Sequence, residues 1–128
     1  MTRLLLADDS RDLLETLVEI LRREFAIVGT LSSGASVLEQ AAALKPDIIL
    51  LDVSLGDMTG FCVAQNLIKA QSPAKIVFLS VHEGFHFVRA ALDLGASGYV
   101  FKSRINQDLV KALRTVSRGA QFLPDGSI

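Results

Sequence analysis

One cysteine, Cys62, stands among the 128 residues of this chain. That excludes an internal disulfide framework and any zinc site built on cysteines, and it fits a reducing, cytoplasmic setting. Excess charge of either sign is also lacking: 13 Lys and Arg face 14 Asp and Glu, a formal net charge of -1. Nothing in that balance lets this segment by itself grip nucleic acid or an acidic membrane. No apolar run approaches the roughly 18 residues that a membrane span needs. Met1-Thr2-Arg3 leads directly into a short apolar stretch, not into a secretion signal. Repeats and low-complexity segments are missing too. With 50% hydrophobic residues the chain is not of the disordered class, and its length suits one domain with one core.

What is present is organised around Ile48-Ile49-Leu50-Leu51, an apolar run without alternation, ending in Asp52. Such a run is expected of a parallel strand buried on both faces. Similar short runs occur at Leu4–Ala7, ending in Asp8-Asp9; at 26–28; at 75–79, ending in Ser80; and at 99–101, ending in Lys102. Between them the apolar period becomes helical: Leu13, Leu14, Leu17, Val18, Leu21 and Phe25 share one face, with Asp9 or Ser10 as cap. Further helices are predicted over 35–44, over 60–71 (packing through Phe61, Ala64, Leu67 and Ile68), over 84–94, and from Ile105 to Val116. Residues 29–34 read as a loop.

Strands alternating with helices predict an α/β domain with a doubly wound, five-stranded parallel sheet. Right-handed crossovers leave few topologies, and the flavodoxin-like order 2-1-3-4-5 is the common one at this size. That order brings Asp8, Asp9, Asp52, Ser80 and Lys102 to one edge. Like charges about 4 Å apart cost on the order of 4 kcal/mol at an effective dielectric near 20, so the three acids protonate or recruit a cation. All-oxygen ligands suit Mg²⁺. A carboxylate set between a divalent cation, an ammonium and a hydroxyl is equipped to take up a phosphoryl group.

With these residues in place, the chain resembles a receiver domain of a two-component response regulator from Arg3 to about Arg118. The stretch from Leu94 to Lys102 resembles the NarL/FixJ-like branch in particular. The resemblance implies phosphorelay signalling in which a sensor histidine kinase phosphorylates Asp52 with Mg²⁺ as cofactor. Lys102 and Ser80 would assist, and Ser80 and Tyr99 would form the switch, Tyr99 turning inward on phosphorylation. The metal would be held by Asp9 and Asp52 directly, by the Ser54 main-chain carbonyl, and by Asp8 through water. The implied protein is no enzyme beyond catalysing its own phosphorylation and dephosphorylation, and a homodimer on phosphorylation is compatible with it. The readout surface would be the helix around Phe85, Phe87, Val88 and Arg89 with the fifth strand and last helix; one of the two phenylalanines should stay outside.

On this reading residues 1–118 are the receiver domain and 119–128 a linker or tail. Members of that branch continue into a DNA-binding domain. None is legible in these 128 residues, so output is expected through a domain outside this chain, or through protein–protein contact alone. Three departures from the family pattern stand out. Gly56 replaces a usual proline, which should loosen the loop after Asp52. Ser103 follows Lys102 where many members have proline, so no cis bond is expected there. Val81 follows Ser80 where a smaller residue is usual, placing bulk on the approach to Asp52, flanked by His82 and Ser54; the alternative is that Val81 fills the core. Two other chemistries would share the layout. A haloacid dehalogenase-like phosphatase would need an acid two residues after its nucleophile, where Ser54 stands. An FMN binder would need a phosphate loop where Asp8-Asp9 stand.

Overall fold

The computed structural model describes residues 1–124. Five strands, β1 (Arg3–Ala7), β2 (Ala26–Leu31), β3 (Ile48–Asp52), β4 (Lys75–Ser80) and β5 (Gly98–Phe101), alternate with five helices. The helices are α1 (Arg11–Leu21), α2 (Gly34–Leu44), α3 (Gly60–Lys69), α4 (Phe85–Asp93) and α5 (Ile105–Ser117). All ladders are parallel and the strand order is β2-β1-β3-β4-β5, as the alternation implied.

The unbroken apolar run of β3 has a direct cause. Ile49 and Leu51 point into the core shared with α2, α3 and α4, while Ile48 and Leu50 point into the core shared with α1 and α5. A strand with a core on each side has no solvent face to alternate with. Capping sets the helix starts. The hydroxyl of Ser10 accepts from Leu13 N at 3.2 Å, that of Ser33 from Ser36 N at 3.1 Å, and that of Thr59 from Cys62 N at 3.1 Å.

Three expectations shift. Residues 29–31 belong to β2, not to a loop, because Gly29, Thr30 and Leu31 pair with Leu5, Leu6 and Ala7 after a one-residue irregularity in the ladder. The inner stripe of α3 is Gly60, Val63, Ala64 and Leu67, at helical spacing, so Ile68 falls outside it and is 47% exposed. The stretch after Arg118, expected as a linker, lies against β5 as far as it is described: Phe122 is 8% exposed and bridges Gly98. Residues 125–128 of that stretch fall outside the described residues. None of the described peptide bonds is cis, and among the described residues no helix is long and apolar enough to cross a membrane.

Candidate functional site

The carboxyl ends of β1, β3, β4 and β5 meet at one edge. Asp8 follows β1 and is buried, as is Asp52 at the last position of β3, while the neighbouring Asp9 is exposed. The ammonium of Lys102, just past β5, lies 2.9 Å from Asp8 Oδ2 and 3.1 Å from Asp52 Oδ2. It thus bridges two carboxylates from strands adjacent in the sheet. The other oxygen of each acid is held by backbone: Asp8 Oδ1 accepts from Ser10 N at 2.9 Å, and Asp52 Oδ1 from Ser54 N at 3.1 Å. Ser80 is fully buried at the end of β4, its hydroxyl accepting from His82 N at 3.0 Å.

Gly60 lets this edge close. A β-carbon there would stand 2.2 Å from the Asp52 carbonyl oxygen, so only glycine allows α3 to start so close beneath Asp52. The loop between β3 and α3 is not loosened by Gly56 as expected. Leu55 N donates to Met58 O at 3.3 Å, Ser54 bridges Thr59, and the Asp57 carboxylate accepts from Gly34 N at 2.9 Å and Ala35 N at 3.0 Å. The loop is pinned to the amino-terminal end of α2, where a carboxylate is favoured. Those two N–H groups hold the Asp57 carboxyl below its usual range. Gly56 has φ +85°, which a proline ring cannot adopt. Gly56→Pro is therefore expected to destabilise the fold by more than about 1 kcal/mol, read as a lower denaturation midpoint in urea. An unchanged midpoint would show that the loop accepts a different path.

Burial pushes the Asp52 carboxyl up, and the charge of Asp8 adds to that; the Ser54 N–H and Lys102 work against it. Burial opposes the charge of Lys102, but the contact with Asp8 and the charges of Asp52 and Asp8 outweigh it, so its ammonium is held above its ordinary range. Burial also raises the Tyr99 phenol. The ring of Tyr99 is fully buried and its hydroxyl donates to His82 O at 2.7 Å, so the inward position expected only after phosphorylation is already taken.

Could this edge hold a cation? Carboxylate oxygens of Asp8, Asp9 and Asp52 all lie within 4.8 Å of one another. Asp8 Oδ2 is buried and, although ion-paired to Lys102, receives no aligned hydrogen bond. Three carboxylates gathered so closely, an all-oxygen donor set, fit a hard divalent cation such as Mg²⁺. A groove of about 1120 Å³ opens at the opposite end of the strands, lined by Leu38, Ala41, Ile48 and Leu67 among others. There the Asp47 carboxylate accepts from Arg3 N and the Lys75 ammonium donates to the Val116 carbonyl.

The access residues sort clearly. Val81 is 66% exposed, which rules out the core-filling alternative. His82 is half-buried and stacks on Phe87 with ring centroids 4.2 Å apart. Phe85 is the phenylalanine left outside, at 60% exposure. Sequence reading missed two contacts. One is the Asp57 cap, whose only signal was an acid three residues before Gly60. The other is the bond from the Ser103 hydroxyl to Glu83 Oε2, 2.7 Å, which joins the loops after β4 and β5.

A family model described as the response regulator receiver domain matches residues 4–114. The nitrate/nitrite response regulator protein NarL of Escherichia coli (strain K12) is 34% identical over 102 residues, covering 80% of this chain and 47% of that protein. The transcriptional regulatory protein LnrK of Bacillus subtilis (strain 168) is 29% identical over 126 residues, covering 97% of this chain and 57% of that protein. The chain thus spans about half the length of the curated relatives it matches. A solved structure of a LuxR-family two-component response regulator from Aurantimonas sp. SI85-9A1 superposes with a TM-score of 0.90 at 26% identity, over 95% of this chain and 89% of that one.

Proposed function

The chain belongs to the response regulator receiver domain family, and on that premise we propose that Asp52 accepts a phosphoryl group from a sensor histidine kinase. The observation that carries this is the Lys102 ammonium shared between buried oxygens of Asp8 and Asp52, with the Asp9 carboxylate close by. In the transfer an oxygen of Asp52 forms a bond to phosphorus as the bond from phosphorus to the kinase imidazole nitrogen breaks in line, its electron pair remaining on that nitrogen. Lys102 neutralises charge on the transferring group and then on the acyl phosphate. Ser80, at the next strand end, supplies a hydroxyl to a phosphoryl oxygen, and that new partner is the first event of the switch.

Asp8, Asp9, Asp52 and the Ser54 carbonyl would hold Mg²⁺. When bound, the cation supplies positive charge against the phosphoryl oxygens. The haloacid dehalogenase-like and FMN-binding readings lose their ground to a family match that spans residues 4–114. Names of relatives such as LnrK support transcription as the output, exerted by a segment outside this chain or by contact with a partner, including a second phosphorylated copy. The near-neutral charge offers no electrostatic argument for nucleic-acid contact by this domain, and a cytoplasmic place suits a kinase partner. A small phosphodonor with Mg²⁺ should add one hydroxylamine-labile phosphoryl group; a chain that stays unmodified while still binding Mg²⁺ would overturn the reading.

Val81 should set the speed. Its β-branched side chain is stiff at χ1 and stands exposed next to Ser80. A small misplacement of an attacking or leaving group can cost roughly a hundredfold. We expect slow uptake from small donors and a long-lived acyl phosphate, with Val81→Ala accelerating both. Unchanged rates of gain and loss in that variant would remove Val81 from the path.

A further inference from the structure

The ladder between β4 and β5 ends with the pair Ser80 and Phe101. Past it the two chains part, β4 into the loop of residues 81–84 and β5 into a 3₁₀ turn over Lys102–Arg104. Each continuation begins at a group of the site. Ser80 stands at the foot of the loop, and Lys102, which bridges Asp8 and Asp52, opens the turn. The loop enters α4 at Gly84, where no side chain caps the helix, so it has no cap to fix it there.

Three hydrogen bonds tie the loop down. His82 N donates to Ser80 Oγ at 3.0 Å, which uses the oxygen of that hydroxyl and not its proton. The Tyr99 hydroxyl, from within β5, donates to His82 O at 2.7 Å. The Ser103 hydroxyl donates to Glu83 Oε2, also at 2.7 Å. This third bond has an ionised acceptor, the stronger class, and it is the one that reaches the turn carrying Lys102. Both of its partners are exposed, so core packing does not account for their meeting. A proline in place of Ser103 has no hydroxyl and could not make it.

We propose that Ser103 and Glu83 are positioning residues for phosphoryl uptake. Their bond clasps the loop beside Ser80 to the turn beside Lys102, so that the two donors face the phosphoryl group in one fixed arrangement. The inference rests on the phosphoryl-acceptor reading above. Lys102 and Ser80 arrive from neighbouring strands, and each must meet an oxygen of the transferring group at hydrogen-bond distance. A small misplacement there can cost roughly a hundredfold. Both clasp residues act through their neighbours: Ser103 on the backbone that carries Lys102, Glu83 on the loop that holds the Ser80 oxygen. With the clasp opened, turn and loop can part, and the donors no longer meet the group together.

The test is the rate of uptake from phosphoramidate with Mg²⁺, at saturating donor, in a double-mutant cycle. Ser103→Ala and Glu83→Ala are each expected to slow uptake about tenfold. The double variant should also be about tenfold slow, because the second substitution has no bond left to remove. Glu83→Gln, which drops the charge but keeps an oxygen acceptor, should stay within about threefold of wild type. Ser103→Ala, which changes no charge, should bind Mg²⁺ as wild type does; a loss of Mg²⁺ affinity that matches the loss of rate overturns the clasp. Single losses that multiply in the double variant overturn it too. So does a lowered urea midpoint with uptake as fast as in wild type, which is a contribution to stability alone; the phosphoryl-acceptor reading then stands. A wild-type chain that takes up no phosphoryl group overturns that reading and the clasp with it.

Discussion

Lys102→Ala is expected to slow phosphoryl uptake by roughly 10²–10³-fold and to destabilise the unmodified fold by about 3 kcal/mol. Both effects come from one atom. Nζ lies 2.9 Å from a buried Asp8 oxygen and 3.1 Å from a buried Asp52 oxygen. Without it two carboxylates share a poorly solvated edge with nothing between them. Neutralising one of them relieves that, so the variant should recover part of its lost stability as the pH falls. The wild-type contribution of Lys102 has the opposite limb. Its ammonium is held above its ordinary range, so its stabilisation is complete below the ordinary lysine pKa and is lost as pH rises through the raised one. Urea denaturation across pH, with uptake rates from a small phosphodonor, checks both halves. Wild-type rates and midpoints in the variant would remove Lys102 from its assigned place.

Asp52→Asn should abolish stable labelling and, at neutral pH, make the unmodified fold more stable than wild type. Burial and the charge of Asp8 raise the Asp52 carboxyl in the folded protein, so the charged group is a cost that folding meets at neutral pH. That cost is fully present above the raised folded value. It shrinks as pH falls and is gone below the ordinary carboxylate range. The thermal midpoints of wild type and Asp52→Asn are therefore expected to converge toward acid. A wild type more stable than the variant at pH 7 in the absence of divalent cations would contradict the electrostatic account. Labelling at the wild-type rate in the variant would contradict the chemical one.

The sheet order and the site were legible in the sequence for a common reason. Runs such as Leu4–Ala7 and Ile48–Leu51 are buried on both faces, so their apolar character marks the strands without ambiguity. Their carboxyl ends then fall on Asp8, Asp52, Ser80 and Lys102 by counting. What escaped depends on neighbours that lie far away in the chain. The rest of β2 was hidden because Gly29 and Thr30 look like turn residues and become strand only by pairing with β1. Gly56 suggested a loose loop, since nothing local reveals that Asp57 reaches the N–H groups of Gly34 and Ala35. Phe122 looked like linker because a lone Phe122-Leu123 pair between Gly119-Ala120-Gln121 and Pro124 carries no period. Its place in the core is set by Ser97, Gly98 and Tyr99.

The central claim is that one side chain, Asp52, receives the phosphoryl group. The most direct measurement is to incubate the chain with a small phosphodonor and Mg²⁺, reduce the acyl phosphate with borohydride, and locate the modified residue by peptide mass spectrometry. The account predicts a single reduced position, Asp52, that disappears when Mg²⁺ is chelated before the donor is added. Modification mapped to Asp8, Asp9 or a residue away from this edge, or modification of Asp52 that proceeds equally well without a divalent cation, would contradict it.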